Sequence, residues 1–197
     1  MLDKDGFFWQ TSLEAQANAT PEAVTLELEL QVRRALDWGV EVTHVDSHMG
    51  TVIHPKFIQA YIQSAVQARG PVMLPRGDPA MAADMGLDAG TTAAFTALVA
   101  QLEEQGLPLV DGMAMLPLDQ PEGQVDIAKK MLSGLPAGVT HFLFHPSIDT
   151  PELRAIAPDW PSRVANYHTF MDPQLKKFIK DQGIQVIGYH DLKQLIK

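Results

Sequence analysis

Three side chains able to hold a metal or move a proton recur at every second position of the run V-T-H-V-D-S-H: His44, Asp46 and His48. Side chains alternate on an extended chain, so Val42, His44, Asp46 and His48 share one face, and Thr43, Val45 and Ser47 take the other. Neighbours on such a face lie roughly 7 Å apart along the strand, close enough for long side chains to converge on one ion. Two imidazoles and a carboxylate on a buried strand each need a partner. Two readings stay open at this point. One is a metal or acid–base site; the other is a hydrogen-bonded His–Asp–His ladder that stiffens a core.

The elements that must position these groups follow from caps and periodicity. Thr20-Pro21 opens a helix that runs to about residue 38, stopped by Gly39, with Val24, Leu28, Val32 and Leu36 as its apolar stripe. A strand is expected over 42–48 and a second helix over 55–69, with Gly70 ending it. A short strand over 72–74 leads into the loop 75–79, whose Arg-Gly-Asp string is a chance match to an adhesion tripeptide. A helix over 91–105 turns Phe95, Leu98, Val99 and Leu102 inward. Then come a strand over 109–113, a helix over 121–132 and a strand over 140–144. Helices start at Thr150-Pro151 and at Asp172-Pro173, the second ending at Gly183; a last strand over 185–188 precedes a helix from Asp191. Residues 1–19 suggest no element, and Asp3-Lys4-Asp5-Gly6 lacks the spacing of a calcium loop. Helix and strand alternate five times, the pattern of a parallel sheet with crossover helices. Ligands in such sheets gather at the C-terminal strand ends, where His48, Arg76 and His145 are all expected to converge.

Composition narrows the partners. With 15 Lys+Arg against 24 Asp+Glu the net charge is -9, and no basic run is present to bind nucleic acid. There is no cysteine, which excludes disulfides and thiolate chemistry. The charged start M-L-D-K-D-G has no apolar signal core, and the apolar patch over 93–102 is too short to span a bilayer. A cytoplasmic protein without membrane association is expected.

The run Thr43-His44-Val45-Asp46-Ser47-His48 resembles the T-H-x-D-S-H signature of the YdjC-like family of carbohydrate deacetylases. His141-Phe142-Leu143-Phe144-His145-Pro146 is similar to the family's strand ending in His-Pro. The tail continues the likeness through Asp149-Thr150-Pro151-Glu152-Leu153, Arg163, Phe170, Asp172-Pro173 and Ile184 to Tyr189. The resemblance implies an α/β fold, here a partial or distorted (β/α) barrel with mostly parallel strands, formed by one domain over 1–197. It implies a metal-dependent hydrolase that removes acetyl groups from N-acetylated sugars such as chitooligosaccharides, with a divalent metal, Zn²⁺ or Mg²⁺, as cofactor. Residue by residue, His48 matches a metal-binding histidine. Asp46 and His44 match inward polar residues that orient it, His44 being a second metal candidate and Asp46 a catalytic one. His145 matches a pocket histidine able to protonate the leaving amine, and Arg76 is a candidate for holding substrate.

The departures are specific. The family's first strand ends in Asp-Asp, which supplies a metal ligand and a base; this chain has no Asp-Asp, and its first histidine is His44. Relative to the family it reads as N-terminally incomplete. Met49-Gly50-Thr51 replaces a histidine-rich stretch, His190 stands where Arg is expected, and Ala165-Asn166 where an acidic residue is usual. Alternatives are therefore a non-catalytic sugar-binding or assembly remnant, or another metal hydrolase completed by His54, His168 or His190. Five strands cannot close a barrel that takes about eight, so open strand edges are expected to pair in a homo-oligomer.

Overall fold

Thr11 opens the first helix with a reciprocal cap: its hydroxyl accepts the Glu14 N–H while the Glu14 carboxylate accepts the Thr11 N–H. Helix α1 (Ser12–Asn18) thus stands where sequence periodicity suggested no element. It is too short to show an apolar stripe, and the T-x-x-E spacing is its one local signal. The computed structural model describes residues 1–77 and 88–196. Within the loop expected over 75–79, Asp78 and Pro79 lie outside the described residues. The chain gathers into two compact units, residues 1–109 with 187–197, and residues 110–186.

In the first unit, α2 (Pro21–Asp37) starts as expected, with the Thr20 hydroxyl accepting the Ala23 N–H. Val24 and Leu28 pack with Ala19, Phe57 and Ala60, and Val32 is also buried. Leu36 does not join them and is 45% exposed. Each four-residue step turns about 40° off the starting face, so by the third step the position has swung round by about 120°. After a 3-10 turn at Thr51–Ile53, α3 (Ile58–Ala68) begins three residues later than expected. Its Ile58, Tyr61 and Ala65 form the main core with Val72, Leu74 and Leu109, and with Val99 and Leu102 of α4 (Ala89–Glu104).

The strand expected over 42–48 is reduced to a single parallel bridge, Val45 to Val72. The Val45 N–H donates to the Pro71 carbonyl at 3.1 Å, and the Met73 N–H donates to the Val45 carbonyl at 2.9 Å. Extending this ladder toward residue 43 needs the N–H of residue 71; on the other side the Met73 carbonyl accepts the Tyr61 hydroxyl at 3.0 Å, and the bond beyond it needs the N–H of residue 75. Residues 71 and 75 are both prolines and have none. Gly70 matters for a reason other than stopping α3. The left-handed residue there is Arg69, at φ 49°, whereas a Cβ on Gly70 would lie 2.9 Å from the Thr43 carbonyl oxygen. Gly70 is the point at which the two segments approach.

In the second unit, β1 (Gly112–Met115) and β2 (Thr140–Leu143) pair in parallel, from Gly112 opposite Thr140 to Met115 opposite Leu143. β1 starts three residues beyond the expected strand, and Leu109 and Val110 ahead of it are buried. Between the strands lies α5 (Gln124–Ser133), delayed by Gly123 in the left-handed region at φ 66°. Then come α6 (Pro151–Ile156), α7 (Trp160–Met171), which the sequence reading did not separate, and α8 (Pro173–Asp181). Leu116, Ala128, Leu132 and Leu175 are the core, with Phe142, Phe170 and Phe178 against it.

The expected strand over 185–188 does not form. No described residue pairs with it, and Val186 is 78% exposed. Helix α9 (Tyr189–Lys193) follows and belongs to the first unit, where the Lys193 ammonium donates to the Val42 carbonyl at 2.6 Å. Among the described residues the sheet is two-stranded, and the fold is mixed α/β with a parallel sheet. Among them, no helix is long and apolar enough to cross a membrane.

Candidate functional site

In the first unit, His44 and Asp46 line one groove of about 210 Å³ with Val42, Val45, Tyr61 and Ser64, walled by Leu28, Gln31, Val32 and Ala35 of α2. Val45, which alternation puts on the opposite face, lines the same groove, so the groove does not separate the two faces. The imidazole of His44 stacks on the Tyr189 ring, and its Nδ1 lies 3.0 Å from the Thr43 hydroxyl. Tyr61 is buried beneath. Its hydroxyl hydrogen is shared between the carbonyls of Val45, at 3.1 Å, and Met73, at 3.0 Å. It therefore spans the single-bridge pairing and binds a carbonyl on each of the two segments.

Burial and the neighbouring Asp46 carboxylate push the hydroxyl pKa of Tyr61 far above its usual value; burial and then Asp46 do the same to Tyr189. Both phenols stay neutral beside an exposed carboxylate. Neither was singled out from sequence for this role. Tyr61 sits in the apolar stripe of α3 and reads there as core.

His48 does not continue the groove surface. Ser47 and Gly50 close a tight turn, the Gly50 N–H donating to the Ser47 carbonyl at 2.8 Å with Gly50 at φ 69°. Ser47 is buried and its hydroxyl accepts the Val52 N–H at 3.3 Å, while His48 rides exposed at the corner. The expected inward face of His44, Asp46 and His48 is corrected in this respect: Asp46 and His48 are exposed and Ser47 is the buried residue. Helix α1 supports the turn, with the Ser12 hydroxyl 2.7 Å from that of Thr51. Arg76 forms an ion pair with Glu103 of α4, each side chain about two-fifths exposed, at 41% and 39%. His54 accepts the Lys56 N–H, and His190 lies 3.7 Å from Glu41. His168 is exposed in α7. Among the described residues no three His, Asp or Glu side chains converge in a way that could hold a metal ion. They do not by themselves make a complete divalent-metal centre.

In the second unit, His145 lies two residues beyond β2 and is half-buried. Helix α7 fastens this exit at three successive turns. Phe170 stacks on Phe144 with centroids 3.9 Å apart and meets Phe142 edge-on at 6.0 Å. The Asn166 carbonyl oxygen accepts the His145 N–H at 2.8 Å, and the Arg163 backbone carbonyl accepts the Ser147 N–H at 3.1 Å. Pro146 between them has no N–H, so both donors of His145-Pro146-Ser147 are taken by one helix. Arg163 also forms a two-bond pair with Asp159, at 2.8 and 2.9 Å. That guanidinium holds the Asp159 carboxyl below the usual carboxylate range, and a small share of the lowering comes from His145.

A profile described as YdjC-like protein matches residues 1–181. A carbohydrate deacetylase of Thermus thermophilus is 25% identical over 181 residues, covering 92% of this chain and 64% of that protein. One of Thermoanaerobacter pseudethanolicus is 26% identical over 193 residues, covering 98% and 69%. The chain thus spans about two thirds of the length of these curated relatives. A solved structure of a protein named for a candidate role in cellobiose-phosphate cleavage, from Enterococcus faecalis V583, superposes with a TM-score of 0.74. It does so over 97% of this chain and 68% of its own, at 17% identity, a likeness of fold alone. With the T-H-V-D-S-H run and the strand leading to His145-Pro146 inside the matched region, the chain belongs to the YdjC-like protein family.

Proposed function

We propose that the chain serves carbohydrate deacetylation: hydrolysis of the amide of an N-acetylated sugar of the chitooligosaccharide class. The observation that carries the reading is the family match over residues 1–181, with carbohydrate deacetylases among the relatives. In the reaction, water oxygen bonds to the acetyl carbon, the C–N bond breaks, acetate leaves, and the sugar nitrogen takes a proton. Asp46, an exposed carboxylate, would take the proton from water, and His145 would give one to the departing nitrogen. Arg76 would hold substrate, exchanging its Glu103 partner for a sugar oxygen.

His48 and His44 are the chain's candidates toward a Zn²⁺ or Mg²⁺ ion, but among the described residues neither belongs to a group of three side chains that could hold one, so no step is routed through a metal. The same observation favours a second reading, a family member that binds the sugar or assembles with a second copy and turns over little by itself.

The test pairs elemental analysis with acetate release from diacetylchitobiose by the purified chain. Metal well below one equivalent, weak acetate release that His145→Ala removes, and calorimetrically detectable sugar binding are expected. Rapid release abolished by a chelator and by His48→Ala would overturn the incomplete centre. Absence of both binding and release would overturn the sugar reading itself.

A further inference from the structure

The environment of Asn166 is unusual for an exposed-site scaffold. It is fully buried, and its neighbour Gln124, at the start of α5, is 3% exposed. The Asn166 amide nitrogen donates to the Gln124 side-chain oxygen at 2.6 Å. The Gln124 nitrogen donates to two backbone carbonyls, Pro117 and Gln120, each at 2.8 Å. The two carbonyls accept only, so they orient the Gln124 amide with its nitrogen toward them. Its oxygen must then face Asn166, which turns the Asn166 nitrogen to Gln124 and leaves the Asn166 oxygen for the His145 N–H, at 2.8 Å. The chain of amides has one direction and ends on His145.

We propose that Asn166, set by Gln124, is a positioning residue for His145. Resting on the reading of His145 as proton donor, it fixes the backbone from which the imidazole is presented. Three features support a role beyond filling the core. A buried amide pair costs more than an apolar pair of the same shape unless every group is satisfied, and here each has a partner. The bond falls on His145 itself and not on β2, whose ladder needs no such help. Its neighbours on the same helix face, Arg163 and Phe170, hold the residues on either side, so of the contacts α7 makes along this exit it is that of Asn166 that falls on His145.

The Asn166 oxygen bonds the His145 N–H while its nitrogen bonds Gln124, and this makes the inference separable from general packing. Asn166→Ala removes it. Asn166→Asp keeps an oxygen for the His145 N–H while losing the donor to Gln124. Amide hydrogen exchange and side-chain couplings of His145, read by NMR on the full chain, decide between them. Expected in Asn166→Ala is exchange at the His145 amide faster by about tenfold or more, with averaged χ1 couplings. The Asp111 and Leu116 amides, which bond across the sheet, should change by less than about twofold. Asn166→Asp should keep both His145 signatures although it is less stable than the parent at neutral pH. If Asn166→Ala fails to fold, Gln124→Leu serves; its freed Asn166 amide should give intermediate exchange at His145. Unchanged His145 exchange in the variant that folds, or equal loss in Asn166→Ala and Asn166→Asp, would overturn the proposal. Acetate release, measured in parallel, keeps the two failures apart. A parent chain that shows the protected His145 amide but releases no acetate defeats the functional reading, not the positioning of His145.

Discussion

The imidazole of His44 and the ring of Tyr189 lie face to face, 3.9 Å between centroids and 5° from parallel. The contact joins the T-H-V-D-S-H run to α9, and its neighbours reinforce it: Lys193 donates to the Val42 carbonyl and His190 faces Glu41. Tyr189→Phe should leave the stack intact, while Tyr189→Ala should cost about 0.5–1.5 kcal/mol beyond its lost buried area. Urea unfolding of the two variants checks this; equal losses in both would place the contribution in the hydroxyl instead.

Tyr61→Phe tests the pin beneath the groove. Its hydroxyl bonds two carbonyls in a buried setting, so its loss should cost about 1–2 kcal/mol. The pH dependence has a definite sign. The folded-state pKa is raised, so the unfolded chain ionises first, and stability is full below about pH 10 and declines above it. Tyr61→Phe should flatten that alkaline decline. Denaturant midpoints between about pH 8 and 11 are the measurement.

Gly70→Ala should be strongly destabilising, by about 1–3 kcal/mol, since the new Cβ meets a backbone carbonyl and not a flexible side chain. The Val45–Val72 bridge should open with it, seen as faster exchange of the Val45 and Met73 amides. A neutral effect would mean that the Thr43 segment yields freely.

The outer face of α2 leaves Leu26, Leu30 and Trp38 at 57%, 47% and 75% exposure, with Arg34 over the Trp38 ring. An apolar stripe of this kind is ordinarily covered. Light scattering at high micromolar concentration should give a species larger than the 21.6 kDa chain, and Leu30→Glu with Trp38→Ser should return the monomer. A monomeric parent would count against self-association.

What could be read from the sequence was local. Thr20-Pro21, Thr150-Pro151 and Asp172-Pro173 each start a helix where expected, because a cap and a fixed φ act within one turn. Alternation did not sort the faces of the 42–48 run, since Val45 lines the groove together with Val42, His44 and Asp46. The 42–48 strand failed because its ladder depends on another segment: Pro71 has no N–H to give, and the Met73 carbonyl accepts the Tyr61 hydroxyl. His48 left the face because Ser47 and Gly50 turn the chain, a signal that the histidine pattern masked. The hold of Asn166 on His145 spans 21 residues and exists only once α7 has packed against the exit of β2. No spacing rule announces it.

The bonds between residues 41–44 and 189–193 also carry a meaning in time. During synthesis the chain emerges from its first residue at about 5–20 residues per second, so roughly 7 to 30 s pass between His44 and Tyr189. Through that interval the first unit waits without its closing helix while the whole of the second unit is made. A nascent chain that ends early, or a protease that trims the tail from Tyr189 onward, removes the cover of the T-H-V-D-S-H run while leaving its residues intact.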